Sequence, residues 1–341
     1  MAYTKSLLAA ARTITIENAE MPGPIEPGWV RLKLAAASIC GTDMHYFRHF
    51  ANAGFTLDYP LTLGHEACAH VIDPNGSGLT TGGLVAINPV IACGDCDRCR
   101  TGDINMCATK RFPGSATTKP HIDGFFRDFF DFPARCCRSV DASVDPDQLT
   151  FAEPLACAMH AVNRGGVTAG MKVLITGCGP MGLLATVGAH ARGAEVHVTD
   201  LKRAAVEAAG AVGATRGFVA GEDDTTDLAG GYDVAIEASG SPHAYNQAIE
   251  AVRKQGTVAI LSLIQPSPVP IDLHRLALKE VVTIGSILFT REFDDAVDLI
   301  ETGTIDFEAI TAARYPVRET LAACELMASG NAVGKVLIKP E

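Results

Sequence analysis

Apolar positions divide the chain into regions with different periods. From Lys172 onward, short β-branched and leucine runs alternate with longer helix-like segments. Lys172–Thr176, Glu195–Thr199, Asp233–Glu237, Thr257–Ser262 and Val281–Gly285 read as strands, and Pro180–Arg192 as the helix after the first of them. Such alternation predicts parallel strands with helical crossovers, an α/β fold. Residues 1–38 read as short strands with turns, where Pro22, Gly23, Pro24, Pro27 and Gly28 precede the alternating run Trp29–Ala35. An apolar helix runs from Phe151 to about Asn163. The character changes again near Phe289, with a helix over 291–301, a strand near 314–317, a helix over 319–328 and a last strand over 334–339. A doubly wound sheet is complete at six strands, so the last strand is expected to return to the first domain.

Length and charge narrow the class. A chain of 341 residues, 48% hydrophobic, is long enough for two domains with a large core. Its net charge of −11, with no block of lysine and arginine, argues against nucleic acid and anionic membrane as partners. No run of about 18 apolar residues marks a transmembrane helix. Met1–Arg12 lacks the apolar core and cleavage site of a signal peptide, so a cytoplasmic protein is expected. Eleven cysteines, an odd number without a leader, argue against a disulfide framework.

The run Val173-Leu-Ile-Thr-Gly-Cys-Gly-Pro-Met-Gly182 places glycines between a strand and a helix. This is a dinucleotide-binding fingerprint in its required context. Gly177 permits the tight turn, Gly179 lets backbone approach a pyrophosphate, and Gly182 allows close helix–strand packing. Pro180 and Met181 start the helix, whose amides and dipole face the phosphates. Asp200, 18 residues beyond Gly182, ends the second strand. A carboxylate there accepts ribose hydroxyls and repels a 2′-phosphate, which favours NAD, although Lys202 and Arg203 follow it closely. Ser239 and Leu263 lie at strand ends, where such sheets meet their cofactor.

Ahead of this region stand Cys40, His65 and Glu66, a thiol, an imidazole and a carboxylate suited to zinc. Taken singly, the cysteine and the histidine read as buried core residues; together, ahead of a dinucleotide fold, they read as a catalytic metal site. Cys93, Cys96, Cys99 and Cys107 are spaced to close a tetrahedral site with no open position, a structural zinc. An iron–sulfur run would want three residues before its last cysteine and a proline after it, where this chain has Ala108. Glu153 opens the apolar helix and reads either as a first-turn carboxylate favoured by the dipole or as a second carboxylate facing the metal. The segment Lys110–Asp131 is a loop followed by an aromatic-rich strand. It either packs on the metal domain or shapes a substrate pocket through Arg111, Ser115 or His121.

These motifs, with Gly334-Lys-Val near the end, resemble the zinc-dependent medium-chain dehydrogenases, which include alcohol, sorbitol and threonine dehydrogenases. The resemblance covers essentially the whole chain. It implies a GroES-like β-rich catalytic domain over residues 1–150 and 289–341 and a Rossmann NAD-binding domain over 151–288. Cys40 and His65 match catalytic zinc ligands. Glu66 and Glu153 match the carboxylates that complete or support that site. Asp43 matches a partner that orients the zinc histidine, Thr42 and His45 match a proton relay, and Tyr46 matches a substrate contact of polyol dehydrogenases. Two zinc ions per chain, NAD and a homotetramer are implied. Ala86-Ile-Asn-Pro89, Arg111-Phe-x-Gly-Ser-Ala116, Pro120-His-x-Asp-Gly124 and Ala152-Glu-Pro-Leu155 through Arg164 narrow the implied substrate to a sugar acid. The implied reaction is oxidation of L-idonate at C5 to 5-keto-D-gluconate, with a sorbitol- or xylitol-type polyol as the alternative. Polyol and idonate relatives usually carry an arginine shortly after the Gly285 position, where this chain has Leu288. A non-catalytic NAD- and zinc-binding protein would show broken ligands or relay, and every position here is filled.

Overall fold

The computed structural model describes residues 2–224, 228–264 and 268–341, and the chain divides into two compact units. The first comprises Met1–Glu153, Phe293–Thr304 and Thr311–Glu341; the second comprises Pro154–Glu292 and Ile305–Ile310.

The first unit is organised on the strand Trp29–Ser38. Its first half alternates, with Val30, Leu32 and Leu34 buried while Arg31 and Lys33 point outward. Its second half, Ala35-Ala-Ala-Ser38, is buried throughout, and small side chains let neighbouring segments close over both faces. This strand pairs antiparallel with Glu66–Asp73, Phe129–Pro133 and the last strand, Lys335–Lys339. The C-terminal strand thus joins the first unit, with Leu337 opposite Ser38 and Ile338 opposite Ala37. Thr311–Pro316 extends the seven-stranded sheet on one side, and Leu84–Ile87 and Cys137–Ser139 on the other. The core is rich in phenylalanine. Phe125 packs edge-on to Phe132 at 5.3 Å and tilted on Phe130 at 4.9 Å. Each such ring contributes about 1.5–3 kcal/mol through burial.

The second unit holds a six-stranded, all-parallel sheet. Its spatial order is Arg216–Val219, Glu195–Asp200, Lys172–Thr176, Tyr232–Glu237, Val252–Ile260, Val282–Gly285. Numbered in sequence this is 3-2-1-4-5-6, the doubly wound dinucleotide-binding order. The central strand buries Val173, Leu174 and Ile175 completely, as a strand covered on both faces must. Pro180–Ala191 follows with Gly179 as its N-cap and Pro180 in its first turn, a position where a missing N–H costs nothing. Among the described residues no helix is long and apolar enough to cross a membrane.

Candidate metal centre and cofactor loop

Cys40 is the N-cap of the helix Gly41–His49 and has extended backbone. Asp43, three residues on, is completely buried. Its Oδ2 accepts the Cys40 amide at 2.9 Å and its Oδ1 accepts the Gly64 amide at 3.0 Å. One carboxylate therefore joins two segments 21 residues apart in sequence. It also lies 3.6 Å from His65 Nδ1. The backbone entering His65 is crowded. Gly64 has φ +95°, and a Cβ at Gly124 would lie 2.2 Å from the Gly64 carbonyl oxygen. Only glycines allow that approach.

The ligand atoms of Cys40, His65 and Glu66 lie within 4.8 Å of one another. His65 Nδ1 is buried without a hydrogen-bond partner. Burial alone would depress the imidazole's basicity, but the charges of Asp43 and Cys40 overcome it and hold its pKa well above the usual value. The pocket is thus electronegative around a buried imidazole beside a thiol, a donor set that fits zinc.

Glu66 is equally buried, and its two oxygens sit 2.5 and 2.6 Å from Lys335 Nζ. Ser38 Oγ donates to the same carboxylate. Lys335 also donates to the Ile39 carbonyl at 3.3 Å. Burial opposes the lysine's charge, yet Glu66, Cys40 and Glu153 together raise its pKa. Glu153, in the first turn of the helix Ala152–Arg164, is 4% exposed. It lies outside the 4.8 Å ligand group but within electrostatic reach of Lys335. Lys335 therefore pairs with Glu66 and is held charged with help from Cys40 and Glu153. In the sequence it was only one residue of the Gly334-Lys-Val motif, and a lysine in an apolar strand was the one signal that it is buried.

Cys93, Cys96, Cys99 and Cys107 also converge within 4.8 Å. Sγ–Sγ separations are 3.5 Å for Cys96–Cys99, 3.6 Å for Cys93–Cys107 and 3.8 Å for Cys93–Cys99. Four thiolates around zinc, at about 2.3 Å each, stand about 3.8 Å apart, so the lobe is shaped for a closed structural ion.

In the second unit the three glycines of the fingerprint differ in their surroundings. A Cβ at Gly182 would lie 1.8 Å from the Gly177 carbonyl oxygen, and one at Gly177, where φ is +92°, would lie 2.7 Å from Ser239. Gly179 has nothing within 4 Å of that position, leaving backbone open to a ligand beside the helix N-terminus. Pro180 and Met181 are half-buried there. Asp200 Oδ2 accepts the Cys178 amide at 2.7 Å and Oδ1 accepts the Lys202 amide at 2.9 Å, so it also shapes the loop. Arg203 is paired with Glu222 at 2.6 Å. Leu263 is exposed. Ser239 donates through its amide and its hydroxyl to Glu237 at 2.7 and 2.6 Å, as Gly240 does at 2.9 Å. Ser262 Oγ reaches the other oxygen of Glu237. This buried carboxylate, which sequence reasoning treated only as a strand end, binds the ends of two adjacent strands together.

Thr42 and His45 are half-buried and three residues apart, hence on one face of the Gly41–His49 helix. Burial lowers the His45 pKa, and His49 and Arg48 lower it further. Tyr46 is completely buried. Its hydroxyl accepts the Ala116 amide at 3.0 Å and lies 3.3 Å from Ser115 Oγ. The His121 side chain is also buried; its Nδ1 meets the Thr118 carbonyl at 2.8 Å and its Nε2 accepts the Asp58 amide at 3.0 Å. Both residues fasten the 111–121 loop with their polar atoms. Arg111 is exposed and pairs through its main chain with Ile91. Leu288 is half-buried with φ +53°.

The chain matches the alcohol dehydrogenase GroES-like domain over residues 26–142 and the zinc-binding dehydrogenase family over residues 180–302. It is 33% identical over 290 residues to L-idonate 5-dehydrogenase (NAD(P)(+)) of Escherichia coli, covering 84% of each chain. It is 30% identical to sorbitol dehydrogenase of Bacillus subtilis, over 96% of this chain and 95% of that one. The crystal structure of L-idonate 5-dehydrogenase from Escherichia coli superposes with a TM-score of 0.94 at 29% identity, covering 99% of this chain and 98% of that one.

Proposed function

The chain belongs to the zinc-binding dehydrogenase family, and from that premise we propose that it oxidises the C5 hydroxyl of L-idonate to the ketone of 5-keto-D-gluconate with NAD. The observation that carries the chemistry is the convergence of Cys40, His65 and Glu66, with Cys40 capping the helix that bears Thr42 and His45. Cys40 and His65, completed or supported by Glu66 or Glu153, would hold zinc, which would supply Lewis acidity, and bound NAD would supply the hydride acceptor. The chain's own residues handle the proton. Thr42 Oγ1 accepts it from the alcohol, and His45, one turn on, takes it toward solvent. Asp43 holds the Cys40 and Gly64 backbones in register, so the two ligand segments cannot drift apart. Asp200 and the open backbone at Gly179 receive the dinucleotide, and the four-cysteine lobe holds the second zinc.

Loss of the C5 hydrogen as hydride and of the hydroxyl hydrogen as a proton balances the oxidation. The proton step sets a pH dependence. A depressed pKa keeps His45 neutral at pH 7 and able to accept. As pH falls through that pKa the ring protonates and the relay closes, so alcohol oxidation should decline along an acid limb lying below about pH 6.5. His45→Asn is expected to lower kcat about 10- to 100-fold at pH 7 and to abolish that limb. An unchanged limb in the variant removes His45 from the relay.

The substrate assignment rests on likeness to the idonate enzyme, and Leu288 together with the sorbitol dehydrogenase relative favours a neutral polyol as the second reading. Initial rates of NADH formation from L-idonate, sorbitol and xylitol at equal concentration separate them. L-idonate is expected to be fastest; a faster polyol transfers the assignment to sorbitol- or xylitol-type oxidation.

A further inference from the structure

The outer end of the parallel sheet carries an arrangement of charges that hydride transfer does not use. Asp200 ends its strand opposite Val219, the last residue of the neighbouring strand, and the Ala220 amide donates to the Asp200 carbonyl at 2.8 Å. The chain then turns through Glu222 and Asp223. Asp223 is fixed in place, its carboxylate accepting the Val219 amide at 2.7 Å. Glu222 reaches across to Arg203, the first residue of the helix that follows Asp200, with Oε2 2.6 Å from Nη2. Both side chains are more than half exposed, at 58% and 61%, so the pair adds little to stability. Its consequence is where the guanidinium is held.

Dinucleotide sites of this fold read the adenosine ribose in one of two ways. A carboxylate at the end of the second strand accepts the 2′-hydroxyl, or a nearby arginine receives a 2′-phosphate. This chain carries both groups, Asp200 and Arg203, three residues apart. A free arginine would offer a phosphate a two-pronged, charge-assisted grip. Here Glu222 engages one prong of that grip, Nη2, with Asp223 and Glu207 adding attraction that keeps the guanidinium on the protein's own acids. We propose that Glu222 sets cofactor choice: it holds Arg203 away from the 2′-phosphate of NADP and, with Asp200 and Asp223, leaves the ribose end of the site negative, so that the 2′-hydroxyl of NAD is selected. This rests on the reading that the glycine loop binds NAD.

The test is calorimetric titration of the zinc-loaded protein with NADH and with NADPH, for the wild type, Glu222→Gln, Arg203→Ala and the double variant. The wild type is expected to bind NADH at least about 100-fold more tightly than NADPH. Glu222→Gln should narrow that ratio about tenfold, the worth of one charge-assisted contact. In the Arg203→Ala background the same change should leave the ratio where it was, because no guanidinium remains to be released. Glu222→Asp should retain most of the wild-type ratio. Preference for NADH in the wild type with an unmoved ratio in Glu222→Gln overturns the role of Glu222 alone. A narrowed ratio that persists without Arg203 also overturns it, by reducing the effect to bulk charge. Preference for NADPH in the wild type overturns the NAD reading and the role of Glu222 with it.

Discussion

Cys40→Ser is expected to lower kcat by about a thousandfold or more, to remove one of two zinc ions per chain, and to leave NADH binding in place. The change exchanges a soft thiolate for a hydroxyl that stays protonated at neutral pH and is a poor zinc ligand. The Cys40 sulfur is also one of the charges that sustain the basicity of His65 and the charge of Lys335, so its loss weakens the pocket's hold on any cation. A Lewis acid contributes several kcal/mol at the transition state, and each 1.36 kcal/mol is about tenfold in rate. The second zinc should stay, because its four sulfurs come from residues 93–107 and depend on no atom of Cys40. The glycine loop and Asp200 belong to the other unit, so NADH affinity should not change. Metal analysis, steady-state rates and NADH titration check the three parts. Full activity, or loss of both ions, would contradict the assignment of Cys40.

Lys335→Met is expected to destabilise the first unit by about 3–5 kcal/mol, the usual cost of leaving one member of a buried ion pair alone. Lys335 is 2% exposed and touches both oxygens of Glu66, which is itself completely buried. Methionine keeps the volume and removes the charge, leaving the carboxylate to Ser38. Combining Lys335→Met with Glu66→Gln should recover most of the loss, since the stranded charge goes with its partner. Unfolding midpoints of the two single variants and the double variant check this. A tolerated Lys335→Met would show that the Lys335–Glu66 pair is not what holds this part of the interior together.

Much of this architecture could be read before any coordinates, and the reasons are local. Gly177, Gly179 and Gly182 stand between a β-branched run and a helix, a pattern complete within ten residues: Gly182 is required by the Gly177 carbonyl, Gly177 by its positive φ, and Gly179 leaves backbone open. The four-cysteine lobe is likewise a short-range pattern. The last strand was expected in the first unit because a doubly wound sheet is complete at six strands, although only five are read from the sequence, and it pairs there with Trp29–Ser38. What stayed hidden depends on distant contacts or weak patterning. The strand Arg216–Val219 buries only Phe218 and Val219, too little for periodicity to register. Val252–Ile260 begins five residues before the apolar run shows it, because Arg253, Lys254 and Gln255 are exposed. The pairing of Lys335 with Glu66 spans 269 residues. Tyr46 was expected as a substrate contact from the resemblance, and His121 as one of the loop residues that either pack on the metal domain or shape a substrate pocket. That the main chain of other segments engages their polar ends, from 58 to 121 and from 46 to 116, follows only from the folded loop.

The most direct measurement is NADH formation by the zinc-loaded protein given L-idonate and NAD. NADH should appear in step with 5-keto-D-gluconate, and the rate should vanish when the Cys40 site is stripped of zinc and return when it is reloaded. A protein carrying both zinc ions that forms no NADH from L-idonate, sorbitol or xylitol would contradict the assignment of alcohol oxidation to this site.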